Sequence, residues 1–120
     1  MNNPQVSRPT RVAQEVRKTV AQLLVQEVKD PRFQKVSITD CKISKDLSIA
    51  NIKFALMGHN EGDPEVEQTL EALKKAQGFF RSEIGKRLNL RIVPQVRFHY
   101  DNVPEHAQHI EDLINKALNS

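Results

Sequence analysis

The chain lacks most of what a secreted, membrane-spanning or catalytic protein requires. It has one cysteine, Cys41, in 120 residues. That excludes an internal disulfide framework and fits a reducing cytoplasm. No apolar run approaches the ~20 residues needed to cross a bilayer. The opening residues Met1-Asn2-Asn3-Pro4-Gln5-Val6 contain no apolar stretch of the kind a signal peptide carries. No Walker-type loop, dinucleotide glycine motif, paired-cysteine zinc pattern or nucleophile elbow occurs. Among His59, His99, His106 and His109, the last two are three apart on one helical face, with no third metal ligand evident nearby. Cys41 reads as a small core residue, and Asp30, Asp40, Asp46 and Asp101 as caps and turn formers. A protein without catalysis, cofactor or metal is expected. A small hydrolase or metal enzyme remains the weaker rival, which stoichiometric metal in purified protein would revive.

What the chain does have is a blocky charge. The net charge is +3, but the stretch from Lys74 to Arg97 holds seven bases (Lys74, Lys75, Arg81, Lys86, Arg87, Arg91, Arg97) against Glu83, a local +6. Just before it lie five acids and no base: Glu61, Asp63, Glu65, Glu67 and Glu71. The sequence pI of about 9.2 favours nucleic acid or an acidic surface as partner. The acidic block would repel a polyanion and should sit away from any such contact.

Length and composition fit one domain, residues 1–120, with a short flexible lead of about six residues and a C-terminal helix. Val12, Ala13, Val16, Val20, Leu23, Leu24 and Val28 recur at helical spacing behind Ser7 or Thr10 as cap. Asp30-Pro31 should end that helix. Val36 to Ser44 and Ser48 to Met57 alternate as strands of a hairpin around Lys45-Asp46-Leu47. In the second strand Ala50, Ile52, Phe54 and Leu56 share one face, and Asn51 and Lys53 the other. Asp63-Pro64 opens a long helix with Val66, Leu70, Leu73, Phe80, Ile84 and Leu88 inward. A third strand is expected over Arg91 to Tyr100, with Arg97 and His99 outward and Pro94 marking an edge or a bulge. Ile110, Leu113, Ile114, Ala117 and Leu118 would face inward from a last helix. The order α-β-β-α-(kink)-α-β-α implies a two-layer α+β domain, helices on one face of a three-stranded sheet.

Within the long helix, Gly78 falls at an interior position that costs roughly 1 kcal/mol relative to Ala. A bend there would let the backbone approach a phosphate, with the N–H groups of a second half-helix pointing at it. Lys74, Lys75, Gly78, Arg81, Lys86, Arg87 and Arg91 are the candidate nucleic-acid contacts. Arg8 and Arg11 form a second-rank group. Phe79 and Phe80 have the chemistry to stack on bases, although the spacing of Phe80 from Leu73 and Ile84 also suits the core. The same charges would serve a protein-interaction module that docks an acidic partner without touching RNA.

Several short pieces, in order, resemble one family. They are Arg8-Pro9-Thr10-Arg11-Val12-Ala13, Asp30-Pro31-Arg32-Phe33, Val36-Ser37-Ile38-Thr39-Asp40, Ser44-Lys45-Asp46-Leu47-Ser48-Ile49-Ala50, Ala76-Gln77-Gly78-Phe79-Phe80-Arg81, Arg91-Ile92-Val93-Pro94 and Phe98-His99-Tyr100-Asp101. Together they resemble the bacterial ribosome-binding factor A family. The resemblance implies a type II KH-like fold in which Ala76-Gln77-Gly78 forms an interhelical kink in place of the usual KH glycine loop. It further implies a non-enzymatic RNA-binding factor; the single cysteine makes a cytoplasmic protein the expectation, and with nothing in the sequence suggesting a large apolar patch, a monomer. Its partners would be 16S rRNA and the free 30S subunit. Its roles would be late small-subunit maturation, 16S rRNA 5′-end processing and growth in the cold.

Overall fold

The computed structural model describes residues 7–26 and 29–118, with the backbone alone for 103–110. The expected flexible lead over residues 1–6, Val28, and the His106–His109 pair as side chains lie outside the described part. In chain order come α1 (Arg8–Gln26), a short 3-10 turn (Pro31–Phe33), β1 (Val36–Ile43), β2 (Ile49–Leu56), α2 (Pro64–Lys75), α3 (Gln77–Leu88), β3 (Gln95–Tyr100) and α4 (Val103–Leu118).

Ser7 begins α1: its Oγ accepts the Thr10 N–H at 3.3 Å, and its carbonyl accepts the Arg11 N–H at 3.0 Å. Val12, Ala13, Val16, Val20, Leu23 and Leu24 are buried on one stripe, as their spacing requires. Backbone at Lys29 and Asp30 is no longer helical. The Asp30 carboxylate caps the 3-10 turn through the Arg32 N–H and also grips the Arg32 guanidinium. That hydrogen-bonded cation holds the Asp30 carboxyl down at about 2.

β1 and β2 form the hairpin, and β2 is the central strand. Its inward row Ala50, Ile52, Phe54 and Leu56 is buried. The register slips between Ile38 and Asp40, so Thr39 is an extra residue. The bulge lets Ile38 and Cys41, three apart, both face the core. It also frees Thr39 Oγ1 to donate to Asp101 Oδ2 at 2.6 Å, tying β1 to the end of β3. The hairpin loop is organised by two side chains. Ser44 Oγ accepts from the N–H of Ser48 and of Ile49, and Asp46 Oδ1 accepts from the hydroxyls of Ser44 and Ser48. These bonds hold the Asp46 carboxyl at about 2 and the loop in place around Leu47, which sits at φ 63.

β3 runs parallel to β2. Parallel neighbours need a crossover, and α2 with α3 supplies it. Loop 57–63 turns through Gly58 and Gly62, both at positive φ, where a side chain would be strained. Asp63 begins α2, but its carboxylate turns back onto the Asn60 N–H at 3.0 Å rather than capping the helix. Ala72, Leu73, Phe80 and Ile84 are buried in one core with the sheet and α1, including Val96 and Phe98 of β3, and Val66 is buried as well. The covered face is therefore the one expected.

Three expectations are corrected. The helix breaks within the expected Ala76-Gln77-Gly78 kink, but at Ala76 (φ −90, ψ 2), and Gly78 is an ordinary residue of α3 without a positive φ. The third strand begins at Gln95, because Pro94 cannot donate to the ladder; Ile92 is exposed and Arg91 lies in the preceding loop. In α4, Leu113, Ile114 and Leu118 are 53%, 53% and 77% exposed, so this amphipathic face is not packed inward. The fully buried core is already closed by α1, α2 and α3.

Two stability outcomes follow. A Cβ at Gly78 would meet nothing within 4 Å, whereas one at Gly85 would lie 3.0 Å from Val93 Cγ2. Gly78→Ala should raise the melting temperature by an amount equivalent to up to ~1 kcal/mol. Gly85→Ala should gain less or lose stability; equal gains in thermal melts would contradict the packing of α3 on the 89–94 loop. For Asp46, the folded carboxyl titrates below its unfolded value, so its contribution is present above about 3.8 and fades as pH falls through about 2. Asp46→Asn should lower the melting temperature at neutral pH, with the gap to wild type narrowing in acid.

Candidate nucleic-acid interface

The burial of Phe80 sets the geometry of the basic region. Phe80 is fully buried and meets Phe98 edge-on at 5.3 Å between ring centroids. Neighbouring positions on a helix differ by about 100°, so this anchoring turns the residues beside it toward solvent. Gly78 and Arg81 are exposed, and Phe79 is 40% exposed while leaning edge-on against Phe80. Base stacking is thus excluded for Phe80 and open to Phe79.

Two helix ends meet at Ala76. Its N–H donates to the carbonyls of Ala72 and Leu73, closing α2, and its own carbonyl accepts the Phe80 N–H at 3.1 Å, opening α3. Lys74 and Lys75 complete the last turn of α2, where cations complement the helix dipole. The start of α3 has neither a side-chain cap nor an acid in its first turn. Its amide dipoles therefore face solvent beside two lysines, across a glycine that adds no bulk.

The other candidates differ in how committed they already are. Arg81 Nη2 donates to the Val93 carbonyl at 3.3 Å, tying α3 to the loop before β3. Glu83 lies 3.9 Å from Lys86 Nζ and 3.4 Å from Arg87 Nε, and partly neutralises both. Arg91 is exposed in the loop that leaves α3 through Asn89, a left-handed C-cap at φ 50. Arg8 and Arg11 are exposed on the first turns of α1, which packs on α3. Among the described residues Lys74, Lys75, Arg91, Arg8 and Arg11 have no acid partner.

Glu65 and Glu67 lie in the first turn of α2, about 12–15 Å from Lys75 along its axis, with Glu61 and Asp63 before them; Glu71 alone of the acidic block lies one turn before Lys75. His59, with a side chain 15% exposed, sits between Asp63 Oδ2 at 3.3 Å and Glu65 Oε2 at 2.9 Å. Glu61 accepts from the Asn102 amide at 2.9 Å. Part of the acidic block is thus used to seat the 57–63 loop on α2 and on the chain after β3.

Nothing in the described part resembles a catalytic centre. No group of three potential metal-ligating side chains occurs among the described residues. Burial, with the Asp40 charge next, pushes the Cys41 thiol up to about 12, which removes it as a nucleophile at neutral pH. No helix among the described residues is long and apolar enough to cross a membrane.

Sequence reasoning passed over one charged surface. Lys42, Lys53 and Arg97 lie on the uncovered face of the sheet, beside Asn51 and His99. The strand alternation had already turned Lys53, Asn51, Arg97 and His99 outward. What it lacked was the strand order and register that bring Arg97 beside the hairpin residues.

Comparison with known proteins agrees with this architecture. A family model for ribosome-binding factor A matches residues 8–114. The ribosome-binding factor A of Hydrogenovibrio crunogenus is 62% identical over 116 residues, covering 97% of this chain and 96% of that protein. The crystal structure of ribosome-binding factor A from Thermus thermophilus superposes with a TM-score of 0.66 at 20% identity, covering 78% of this chain and 97% of that one. A homology model of the Thermus thermophilus protein, fitted into a cryo-electron microscopy map of a 30S–RbfA complex, gives a TM-score of 0.58 at 22% identity over 72% of this chain and 88% of that one. At those identities the two structures speak for the KH-like fold alone. The family model and the Hydrogenovibrio relative go further: the chain belongs to the ribosome-binding factor A family.

Proposed function

We propose that this protein assists late maturation of the small ribosomal subunit by binding 16S rRNA on free 30S particles and supporting processing near the 5′ end. It acts without catalysis, by holding RNA. The observation that carries this reading is the Ala76 junction, where Lys74, Lys75 and the uncapped start of α3 face solvent together. The 30S complex described for the Thermus thermophilus protein supports the choice of partner.

The chemistry is phosphate recognition. Lys74 and Lys75 approach as mobile point charges, while Arg91, Arg8 and Arg11 offer planar forks. The α3 amides complete a site for an anion, and Gly78 lets the sugar-phosphate backbone come close. Phe79 offers an exposed ring face to an unpaired base. Arg81, Lys86 and Arg87 contribute less, since each already holds a carbonyl or shares Glu83.

That ranking is testable with 30S subunits across a salt series. Each phosphate contact contributes a slope of roughly −0.7 to −0.9 in log affinity against log salt. Lys74→Ala with Lys75→Ala should flatten the slope by about two contacts; Lys86→Ala with Arg87→Ala should change it less. Equal slopes for wild type and the Lys74/Lys75 pair would remove the junction from the interface. Release of the protein from ribosomal fractions by RNase is expected, and retention after RNase would favour docking on an acidic protein. Gly78→Ala carries a further signature: tighter folding with weaker 30S binding, because the added methyl occupies the phosphate approach.

A further inference from the structure

Among the described residues the sheet is covered by helices on one face only. On the other face the register sets Lys42, Asn51 and Arg97 in one row across the three strands, and Asp40, Lys53 and His99 in the next. Neighbouring strands lie about 4.8 Å apart and same-face rows about 6.8 Å apart. Lys42, Lys53 and Arg97 therefore form a triangle roughly 10 Å across at backbone level. Lys42, Arg97 and His99 are exposed, and Asn51 and Lys53 half-buried. None of the three cations pairs with an acid among the described residues. Three bases against Asp40 leave these six positions at +2.

The neutral groups suit an anion as well. His99 Nε2 and Asn51 Oδ1 are 2.9 Å apart. With the imidazole N–H donating, the Asn51 amide NH₂ is left as a donor between Lys42 and Arg97. The apolar side chains on this face are Ile49 and Ala55, both half-buried. An apolar cover, such as the exposed stripe of α4, would strand these charges without water or a partner. The fitting occupant is a flexible polyanion.

We infer that the open sheet face is a second RNA-backbone site, placed back to back with the Ala76 junction. The protein then clamps two RNA segments on opposite sides of one domain. Tethering of this kind raises the effective concentration of the second segment once the first is held. The inference adds to the RNA-binding reading but stands on its own observation, the register of the sheet.

The test uses the full chain and a short single-stranded oligoribonucleotide too small to span both faces. Two-dimensional amide NMR should show shifts at Lys42, Asn51, Lys53, Arg97 and His99 as well as at residues 74–81. Titration should give two oligonucleotides per chain, falling to one in Lys42→Ser/Lys53→Ser/Arg97→Ser with an unchanged melting temperature. The same triple variant should lose about two units of the salt slope for whole 30S particles. One oligonucleotide per chain with shifts confined to the helices would overturn the inference, as would an unchanged salt slope in the triple variant. Sheet-face shifts with polyglutamate and none with RNA would also overturn it, assigning the face to an acidic protein. Sheet-face shifts that persist in Lys74→Ala/Lys75→Ala, with the junction silent toward RNA in wild type, would count against the helical site alone.

Discussion

The seating of Phe80 against Phe98 is the contact on which the rest depends. Phe80 belongs to the crossover and Phe98 to the strand that the crossover delivers. Burying a ring of this size stabilises by about 1.5–3 kcal/mol, and the edge-on geometry adds about 0.5–1.5 kcal/mol. Its geometric effect matters as much. With Phe80 pinned inward, Gly78, Phe79 and Arg81 have no choice of side. The basic junction is thus exposed because the core is well packed, and its shape is inherited from a hydrophobic contact rather than from the charges themselves.

The charge pattern follows from helix polarity. α2 carries Glu65 and Glu67 in its first turn and Lys74 and Lys75 in its last, each complementing the local dipole. One helix thereby separates two electrostatic regions. The blocky charge visible in the sequence becomes a spatial separation because, Glu71 apart, the acids and bases fall on opposite ends of one rigid rod. α3 then starts at the basic end with a bare N-terminus, so its dipole reinforces the positive region.

Most of the architecture was legible from periodicity and punctuation. The stripe from Val12 to Leu24, the row from Ala50 to Leu56 and the pair Asp63-Pro64 located elements that the structure contains. The misses have physical causes. Gly78 drew attention as the residue with the weakest helix preference, yet Ala76 bends because two hydrogen-bond ladders end and begin there. Ile92 matched the strand alternation, but Pro94 broke the ladder after it. Leu113, Ile114 and Leu118 showed helical spacing, and spacing records amphipathicity without saying whether a partner face is still free. The sheet-face cations escaped because pairing β2 parallel with β3 is a tertiary fact that alternation within one strand does not contain.

That parallel pairing has a temporal meaning too. Residues 8–56 can form α1 and the hairpin from nearby contacts, but β3 reaches β2 only after the crossover 57–94 has been made. Until then β2 keeps an open edge, and the row Ala50, Ile52 and Phe54 lacks the cover that α2 and α3 supply. During synthesis from the N-terminus, the domain therefore stays open until Tyr100 has left the ribosome. Both basic surfaces come into being at that same late moment: β3 fixes Arg97 beside Asn51, one row from Lys53, and, through Phe98, fixes the outward turn of α3. A truncated chain that stops short of β3 has neither basic surface assembled, so both appear only when folding is complete.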